Sequence, residues 1–312
     1  MRNKLSVIVI SYNSSRTIRE TLEGIHRQVL SGNIDLEVYL FDDASTDNTV
    51  AIAKEVVHEL KMSVRFVSRA QNLGLVANIF KAIESVGDTD FVYLTAADDY
   101  LADDGFFRDA LNTLDNRPSS SFACAEWTRF EEETENRSQG LGGADLPELV
   151  SLETWKQLGY PVFLIQSCLF RRSSLPHHFD EWMYRVYPED WFLLCHAFQS
   201  GDAVVFKNAG LQYRCHAGGI SKKPLSFDIA YRKYLVNVYI RKYFSDRVRS
   251  VIANPIWQAP QIAVLAIYEK RYWKATVFAF KALLSLSVSV SDKYLMVKTI
   301  AKVFLTGYVP RY

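Results

Sequence analysis

Hydrophobic runs and helical patterns alternate along the first hundred residues of the chain. The apolar and β-branched run Leu5–Ser11 predicts a strand that is buried on both faces. Three more strands are predicted at Leu36–Phe41, Val64–Val67 and Phe91–Thr95. The helices between them are predicted from Ser14 or Ser15 to about Val29, from Thr46 or Asp47 to about Leu60, and over Leu75–Val86. Strands joined through helices predict right-handed βαβ units, a mostly parallel sheet and therefore an α/β fold.

The alternation weakens after about residue 120, although a helix is still expected to begin near Asp103. The later expectations are a mobile acidic loop at Glu131–Glu148, a strand at Val162–Phe170, a helix from Pro188 to about Ser200, and short strands at Val204–Phe206 and Leu211–Cys215. From Phe227 onward the pattern is helical. The chain is therefore predicted to divide into an α/β domain over residues 1–221 and a helical region over residues 222–312.

The charge of the chain is distributed unevenly between these two parts. The net charge of the 312 residues is +1, but residues 222–312 carry +12 and residues 1–221 carry −11. Basic helices rich in aromatic residues predict contact with an anionic membrane surface. Lys281 and Asp292 interrupt the apolar stretches, so these helices are expected to lie on a bilayer rather than span it. A packed helical subdomain is the alternative, and nucleic-acid binding is disfavoured because no motif for it is present.

The cysteines and the N-terminus bear on the cellular compartment. Cys124, Cys168, Cys195 and Cys215 form no CxxC pair, and their spacing fits neither a zinc site nor a disulfide framework. Reduced, mostly buried thiols of a cytosolic protein are expected. The first apolar run is short and is followed by polar residues, which favours a buried first strand over a signal peptide.

Polar clusters stand where three of the predicted strands end. They are Ser11-Tyr12-Asn13, Asp42-Asp43 and Asp98-Asp99. Ligands of open α/β sheets bind beyond the carboxyl ends of the strands, so the three clusters predict one site. Adjacent carboxylates at Asp98 and Asp99 favour a hard divalent cation, with a solvated loop as the alternative. Asp42 and Asp43 could accept hydrogen bonds from a base or a ribose, or could simply form a turn.

Six segments, taken in order, resemble the family 2 glycosyltransferases of the GT-A fold. They are Val7–Asn13, Phe41–Asp47, Asn72-Leu73-Gly74 with Asn78, Ala96–Asp99 at the place of the D-x-D metal motif, Glu189-Asp190-Trp191, and Tyr213–Ser221. The match extends over about residues 5–221. It implies a GT-A-type nucleotide-sugar-binding domain with a mostly parallel central sheet, followed by a C-terminal helical region. One departure is Ala96, where the family motif often begins with aspartate.

The resemblance also implies a reaction and a set of residues for it. The reaction is metal-dependent, inverting transfer of a sugar from a nucleoside diphosphate, with UDP favoured, to a saccharide hydroxyl. Asp190 is the expected base and Glu189 is expected to orient either Asp190 or the acceptor, while Asp98, Asp99 and His216 are expected to hold Mn²⁺ or Mg²⁺. The expected donor-binding residues are Ser11, Tyr12, Asn13, Asp42, Asp43, Asn72, Gly74, Asn78, Asp98, His216 and Lys222.

The expected acceptor is a polyprenyl-diphosphate-linked saccharide in O-antigen or capsule synthesis. The protein would then be cytoplasmic and peripheral on the inner face of the bacterial plasma membrane. A sugar-phosphate nucleotidyltransferase is a second hypothesis, but it would need a glycine-rich phosphate loop, and Ser11–Ser15 contains no glycine. A non-catalytic nucleotide-sugar-binding protein is the third hypothesis, and only Ala96 favours it.

Overall fold

The computed structural model describes residues 3–30, 34–140, 146–158, 163–185, 187–216, 219, 226–251, 258–285 and 288–306. Two compact units are present. The first contains residues 1–185 and 189–222, and the second contains residues 186–188 and 223–312.

The first unit begins with the predicted alternation of strands and helices. The elements are β1 (Lys4–Ser11), α1 (Ile18–Leu30), β2 (Asp35–Asp42), α2 (Thr49–Glu59), β3 (Val64–Ser68), α3 (Leu75–Ser85) and β4 (Phe91–Ala96). β1 pairs in parallel with β2 on one side and with β4 on the other, and β2 pairs in parallel with β3. The predicted parallel sheet is confirmed, and the carboxyl ends of its strands meet at one edge.

The second half of this unit widens the same sheet. Its elements are β5 (Tyr100–Leu101), α4 (Phe106–Asn116), β6 (Ser120–Glu131), β7 (Asn136–Gln139), β8 (Leu149–Val150), α5 (Leu152–Gln157), β9 (Cys168–Arg171), α6 (Glu189–Ser200) and β10 (Asp202–Cys215). The strand order is β3-β2-β1-β4-β9-β6-β10-β5, with β7 paired to β6 and β8 paired to β10. Because β9 is antiparallel to both β4 and β6, the long strands β4, β6 and β10 point the same way.

Several sequence expectations are corrected in this half. Residues 131–148 were expected to form a loop, yet Asn136–Gln139 pairs with the end of β6 as a hairpin. Of the strand expected over Val162–Phe170, Val162 lies outside the described residues, Ile165–Ser167 forms a short 3-10 helix, and the strand begins at Cys168. The two short strands expected after α6 form one strand, β10, whose register shifts at bulges. The N-cap of α2 is Asn48 rather than Thr46 or Asp47.

One part of the core of this unit lies against the face of the sheet that α1, α2 and α4 cover. Leu5, Val7 and Val9 alternate along β1 and pack with apolar residues of α1, α2 and α4. These side chains are almost wholly removed from water, and residues of the opposite face such as Ile8, Ile79 and Phe80 are buried as well, so the burial of both faces stabilises the sheet. The edge that carries the polar clusters is thereby fixed on a rigid support.

The second unit is helical, as predicted. It contains α7 (Phe227–Tyr243), α8 (Asp246–Val251), α9 (Ala259–Tyr268), α10 (Tyr272–Leu284) and α11 (Val290–Thr306). A core of its own is built around Phe227, Ile262 and Phe278. Ser226 caps α7 by accepting a hydrogen bond from the Ile229 N–H. Among the described residues, no helix combines the length and apolarity required to cross a bilayer.

Candidate active site

The turn after β2 is held together by the side chain of Asp42. Its Oδ1 accepts hydrogen bonds from the hydroxyls of Ser11, at 3.0 Å, and Ser45, at 2.5 Å, and its Oδ2 accepts one from the Ser45 N–H at 2.9 Å. Asp42 and Ser11 are both buried. The predicted donor-binding residues Ser11 and Asp42 therefore lie in contact, and their bonds fix the ends of β1 and β2 relative to each other.

Asp43 joins this turn to the segment before α3. Its carboxylate accepts hydrogen bonds from the N–H groups of Leu73, at 2.8 Å, and Gly74, at 2.9 Å. Gly74 has φ +85°, a conformation that strains any residue with a Cβ, so glycine is required for this approach. Asn72 stabilises the same turn, because its Oδ1 accepts a hydrogen bond from the same Gly74 N–H. Three predicted donor-binding residues, Asp43, Asn72 and Gly74, thus form one hydrogen-bonded unit.

Asn13 docks the loop after β1 onto the same turn. It adopts a left-handed conformation with φ 52°, which asparagine tolerates better than most residues. Its N–H donates to the Ser45 hydroxyl at 2.9 Å, and its Oδ1 accepts from the Thr46 N–H at 2.8 Å. The neighbouring Tyr12 is 48% exposed, which leaves its ring free to contact a planar ligand.

Asn78 lies deeper than the other predicted donor-binding residues. It is fully buried; its Nδ2 donates to the Phe41 carbonyl at 3.1 Å and its Oδ1 accepts from Arg69 Nε at 3.1 Å. Its donor-binding role stays a prediction, and its burial favours a supporting role behind the turn. Arg69 lies 5.4 Å from the Phe41 ring centroid, and its Nη2 is buried without a hydrogen-bond partner in the described chain. Sequence reasoning missed Arg69, although it directly follows β3.

A second group of residues lies at the end of β4. Asp98 Oδ2 is 3.2 Å from His216 Nε2, and each side chain is about one third exposed, with 34% for Asp98 and 31% for His216. The two residues are far apart in the chain, and the strands β4 and β10 bring them to the same edge. Two of the predicted metal ligands are therefore in direct contact.

Asp99, the third predicted metal ligand, has a different environment. It is 1% exposed, and its Oδ1 accepts a hydrogen bond from the Arg214 N–H at 2.8 Å. Burial and the adjacent Asp98 raise the pKa of Asp99 well above its usual range. The Arg214 guanidinium donates to the Asp98 carbonyl at 3.0 Å and pairs with Glu20. Asp99 and Arg214 thus hold β10 in the place from which His216 reaches Asp98. Metal binding by Asp99 itself remains a prediction.

A cavity of about 140 Å³ connects these groups. Asp98, Asp99, Glu189 and Arg214 line its polar side, while Ile10, Leu75 and Ile79 are among its apolar lining residues. Gln166 lines it too, and sequence reasoning missed it, since no local pattern marks it. Arg214 belongs to the Tyr213–Ser221 segment of the resemblance, which assigned it no role. Two of its lining residues, Ile10 and Leu75, are the chain neighbours of Ser11 and Gly74 in the hydrogen-bonded turns.

Glu189 is the carboxyl group of α6 that lines this cavity. It is 7% exposed, and its Oε2 is buried without a hydrogen-bond partner among the residues described. Burial, followed by the charge of Asp190, raises the pKa of Glu189 to about 8. Asp190 is partly exposed, and its Oδ1 accepts a hydrogen bond from the Trp191 N–H at 3.2 Å. The two adjacent carboxyl groups therefore lie in different environments.

The donor set at Asp98 and His216 fits a divalent cation. A carboxylate oxygen and an imidazole nitrogen are both ligands of first-row divalent ions, and their contact shows that one ion could reach both. Within the described ranges, no group of three or more acidic, histidine or cysteine side chains is arranged to hold a metal. The pair would therefore bind a cation together with oxygens of a ligand and water. Lys222, a further predicted donor-binding residue, lies outside the described residues.

The chain matches the family model for glycosyl transferase family 2 over residues 6–179. The uncharacterized protein Rv1520 of Mycobacterium tuberculosis is 28% identical over 223 residues, which cover 69% of this chain and 60% of that protein. The chain thus spans less than two thirds of the length of this curated relative.

Two solved structures have a similar fold. Residues 1–349 of S. aureus TarS in complex with UDP-GlcNAc match with a TM-score of 0.64 and 18% identity, covering 99% of this chain and 93% of the other. The mannosyltransferase PcManGT of Pyrobaculum calidifontis, in complex with GDP-Man and Mn²⁺, matches with a TM-score of 0.59 and 14% identity. The match covers 99% of this chain and 82% of the other. At these identities the similarity shows the fold.

Proposed function

Since the chain belongs to glycosyl transferase family 2, we propose that it transfers a sugar from a nucleoside diphosphate to a hydroxyl group of a saccharide. The observation that carries the proposal is that Asp98, which contacts His216, and Glu189 line one cavity at the edge of the sheet where the Asp42–Asp43 turn also lies. Residues 1–221 would be the catalytic domain. UDP is the favoured nucleotide, since UDP-GlcNAc is bound by the similarly folded TarS.

The donor would bind across the carboxyl ends of β1, β2 and β4. Each carboxylate oxygen of Asp43 accepts one N–H and keeps a lone pair for a base N–H or a ribose hydroxyl. Tyr12 is exposed beside it and would contact the base. Asp98 and His216 would hold Mn²⁺ or Mg²⁺ at the diphosphate, where the cation supplies positive charge that stabilises the leaving group.

The two carboxyl groups at the start of α6, Glu189 and Asp190, would have different roles in proton transfer. Because the pKa of Glu189 is about 8, this residue keeps its proton at neutral pH and donates a hydrogen bond that orients the acceptor hydroxyl. Asp190 would then accept the proton of that hydroxyl. The acceptor oxygen forms its bond to the anomeric carbon as the bond from that carbon to the diphosphate oxygen breaks, with inversion.

A donor screen tests the proposal as a whole. The full chain is incubated with UDP-, GDP- and dTDP-sugars in Mn²⁺, and binding and slow hydrolysis are followed by saturation-transfer NMR. We expect binding and hydrolysis of a UDP-sugar. Absence of binding to any nucleoside diphosphate sugar by the folded chain would contradict it.

We expect Asp98→Asn and His216→Gln each to weaken UDP binding at least about tenfold in Mn²⁺ and to change it little in EDTA. The reason is that each substitution removes a charged or basic ligand atom from the pair that would hold the cation. Isothermal titration calorimetry measures both conditions, with the exposed Asp35→Asn as a matched control. Equal affinity of the unsubstituted chain with and without Mn²⁺ would rule out the metal role.

The second unit carries a surface that suits a membrane. Trp273, Phe280 and Leu284 recur on one face of α10 and are 78%, 63% and 68% exposed. Lys274 directly follows Trp273, and Lys281 directly follows Phe280. Tyr294 and Leu295 are exposed on α11. Exposed aromatic residues among cations fit an anionic bilayer surface. We propose that this surface holds the protein on the inner face of the plasma membrane, where a lipid-linked acceptor for O-antigen or capsule synthesis would lie.

We expect the full chain to co-sediment with anionic vesicles at low salt, and less with neutral vesicles. Removal of three apolar side chains in Trp273→Ala, Phe280→Ala and Leu284→Ala together should weaken vesicle binding at least about tenfold. Leu149→Ala, at an exposed position of the first unit, is the matched control. If the full chain binds neither anionic nor neutral vesicles at low salt, the basic helices only form a packed subdomain.

A further inference from the structure

A second cavity lies at the edge of the sheet opposite the candidate active site. It has a volume of about 360 Å³, and Asp90, Asp115, Arg171, Arg172 and His177 are among its lining residues. Asp90 precedes β4 and Arg172 follows the antiparallel strand β9, which places the cavity at the amino ends of the parallel strands. A volume of this size falls in the range of small-molecule sites.

Arg172 is an unusual residue in this lining. It is 7% exposed, and in the described chain no carboxylate lies within ion-pair distance of its guanidinium. Within the ranges that the structure describes, its side chain donates only from Nη1, to the carbonyls of Leu175, at 3.3 Å, and Pro176, at 3.1 Å. Burial lowers the pKa of Arg172, but a guanidinium keeps its charge in proteins. A buried cation without a counter-charge is costly, and an anionic ligand would relieve that cost.

The neighbouring Arg171 also lacks a carboxylate partner among the described residues. The Arg171 guanidinium donates to the carbonyls of Ser120, at 2.8 Å, and of Leu114. Neither bond neutralises its charge, and no acidic side chain of the described residues pairs with it. His177 is exposed in the same lining. Arg171, Arg172 and His177 thus line one small volume together with two carboxylates, Asp90 and Asp115. Among the described residues neither carboxylate forms an ion pair with either guanidinium, so both guanidinium groups remain available to an oxyanion such as a phosphoryl group.

The two acidic side chains of the lining, Asp90 and Asp115, could recognise hydroxyl groups of a ligand. Asp90 Oδ2 accepts a hydrogen bond from the Lys4 N–H at 2.9 Å, and Asp115 accepts one from the Asn3 amide. Both side chains are exposed, and both keep lone pairs that can accept hydrogen bonds from hydroxyl groups. A bare phosphate ion would leave these acceptors unused. A ligand with one phosphoryl group and several hydroxyls would use both kinds of group.

We propose that this cavity is a second binding site, which takes a phosphorylated saccharide with its phosphoryl group beside Arg172 and its hydroxyls beside Asp90 and Asp115. The site lies at the opposite edge of the sheet from Asp98 and Glu189. It is therefore separate from the nucleotide-sugar site, and it does not depend on the function proposed for that site.

The test is a calorimetric titration in EDTA of the Asp98→Asn chain. This substitution removes the carboxylate of the candidate metal pair Asp98 and His216. The probes are glucose 1-phosphate, inorganic phosphate and glucose. We expect glucose 1-phosphate to bind most tightly, phosphate to bind more weakly, and glucose not to bind. Phosphate binding as tight as glucose 1-phosphate binding would instead mean a site for the free ion, and would overturn the saccharide part of the proposal.

Substitutions assign the binding to this cavity. Arg172→Met should weaken glucose 1-phosphate binding at least about tenfold, since a charge-assisted hydrogen bond is lost. The exposed Arg65→Met is the matched control. Because Arg172 also bonds to two carbonyls, its replacement could impair folding, and His177→Gln in the exposed lining provides a second measurement, with a loss of several-fold expected. Unchanged binding in a folded Arg172→Met chain or in His177→Gln, or no binding of either phosphate compound, would overturn the proposal.

Discussion

Replacement of Asp190 by asparagine should reduce turnover at least about 10²-fold, the usual contribution of a general base, and should leave donor binding close to that of the unsubstituted chain. Asn keeps the shape of the side chain and an oxygen that can accept the hydrogen bond from the Trp191 N–H. It cannot accept the proton of the acceptor hydroxyl. The loss is therefore expected in the chemical step, in kcat rather than in the affinity for the donor.

The measurement combines three readouts on the same protein preparation. Turnover is followed with the donor found in the screen, donor affinity by calorimetry, and folding by thermal unfolding. Asp88→Asn, at an exposed position of the first unit, is the matched control and should change none of them. A well-folded Asp190→Asn chain with near-normal turnover would remove Asp190 from the role of base.

The part of the fold that could be predicted is the part with strong local patterns. β1 is a run of β-branched residues, and apolar strands with helical segments between them leave few alternatives to a parallel sheet. The region after residue 120 gives no such pattern. β6 begins with Ser120 and Ser121 and mixes small residues with the aromatic Phe122 and Trp127, so it lacks the continuous β-branched run that marks β1. β10 contains bulges that break its periodicity, so it was predicted as two strands.

The candidate site was predictable only where its residues follow strands directly. Asp42, Asp43, Asp98 and Asp99 fall at strand ends, and strand ends of a parallel sheet meet at one edge. The contact between Asp98 and His216 depends on β10, far along the chain, and could be expected only from the resemblance. The sequence also could not predict that adjacent residues differ in their exposure to solvent. Asp98 is partly exposed while Asp99 is buried, and Glu189 is buried while Asp190 is partly exposed.

The buried carboxyl of Glu189 should make the protein less stable as the pH rises. The pKa of Glu189 is about 8 in the folded chain, whereas the ordinary value for glutamate is 4.5. Between these two values the folded state binds more protons than the unfolded state, so the free energy of unfolding falls with increasing pH. The loss begins above about pH 4.5 and is complete above about pH 8. Each pH unit within that window lowers the free energy by up to about 1.4 kcal/mol, which gives a total of several kcal/mol.

Glu189→Gln should therefore stabilise the folded chain, by an amount that grows from near zero at pH 5 to several kcal/mol at pH 8.5. Glutamine has a similar shape and never ionises, so it removes the cost of a buried charge while also removing a group of the candidate active site. Melting temperatures of both chains between pH 5 and 8.5 measure the effect. Glu153→Gln is the matched control, because Glu153 is an exposed glutamate in the first turn of α5. A difference that does not grow with pH would show that Glu189 is ionised in the folded protein, and it would then compete with Asp190 for the role of base.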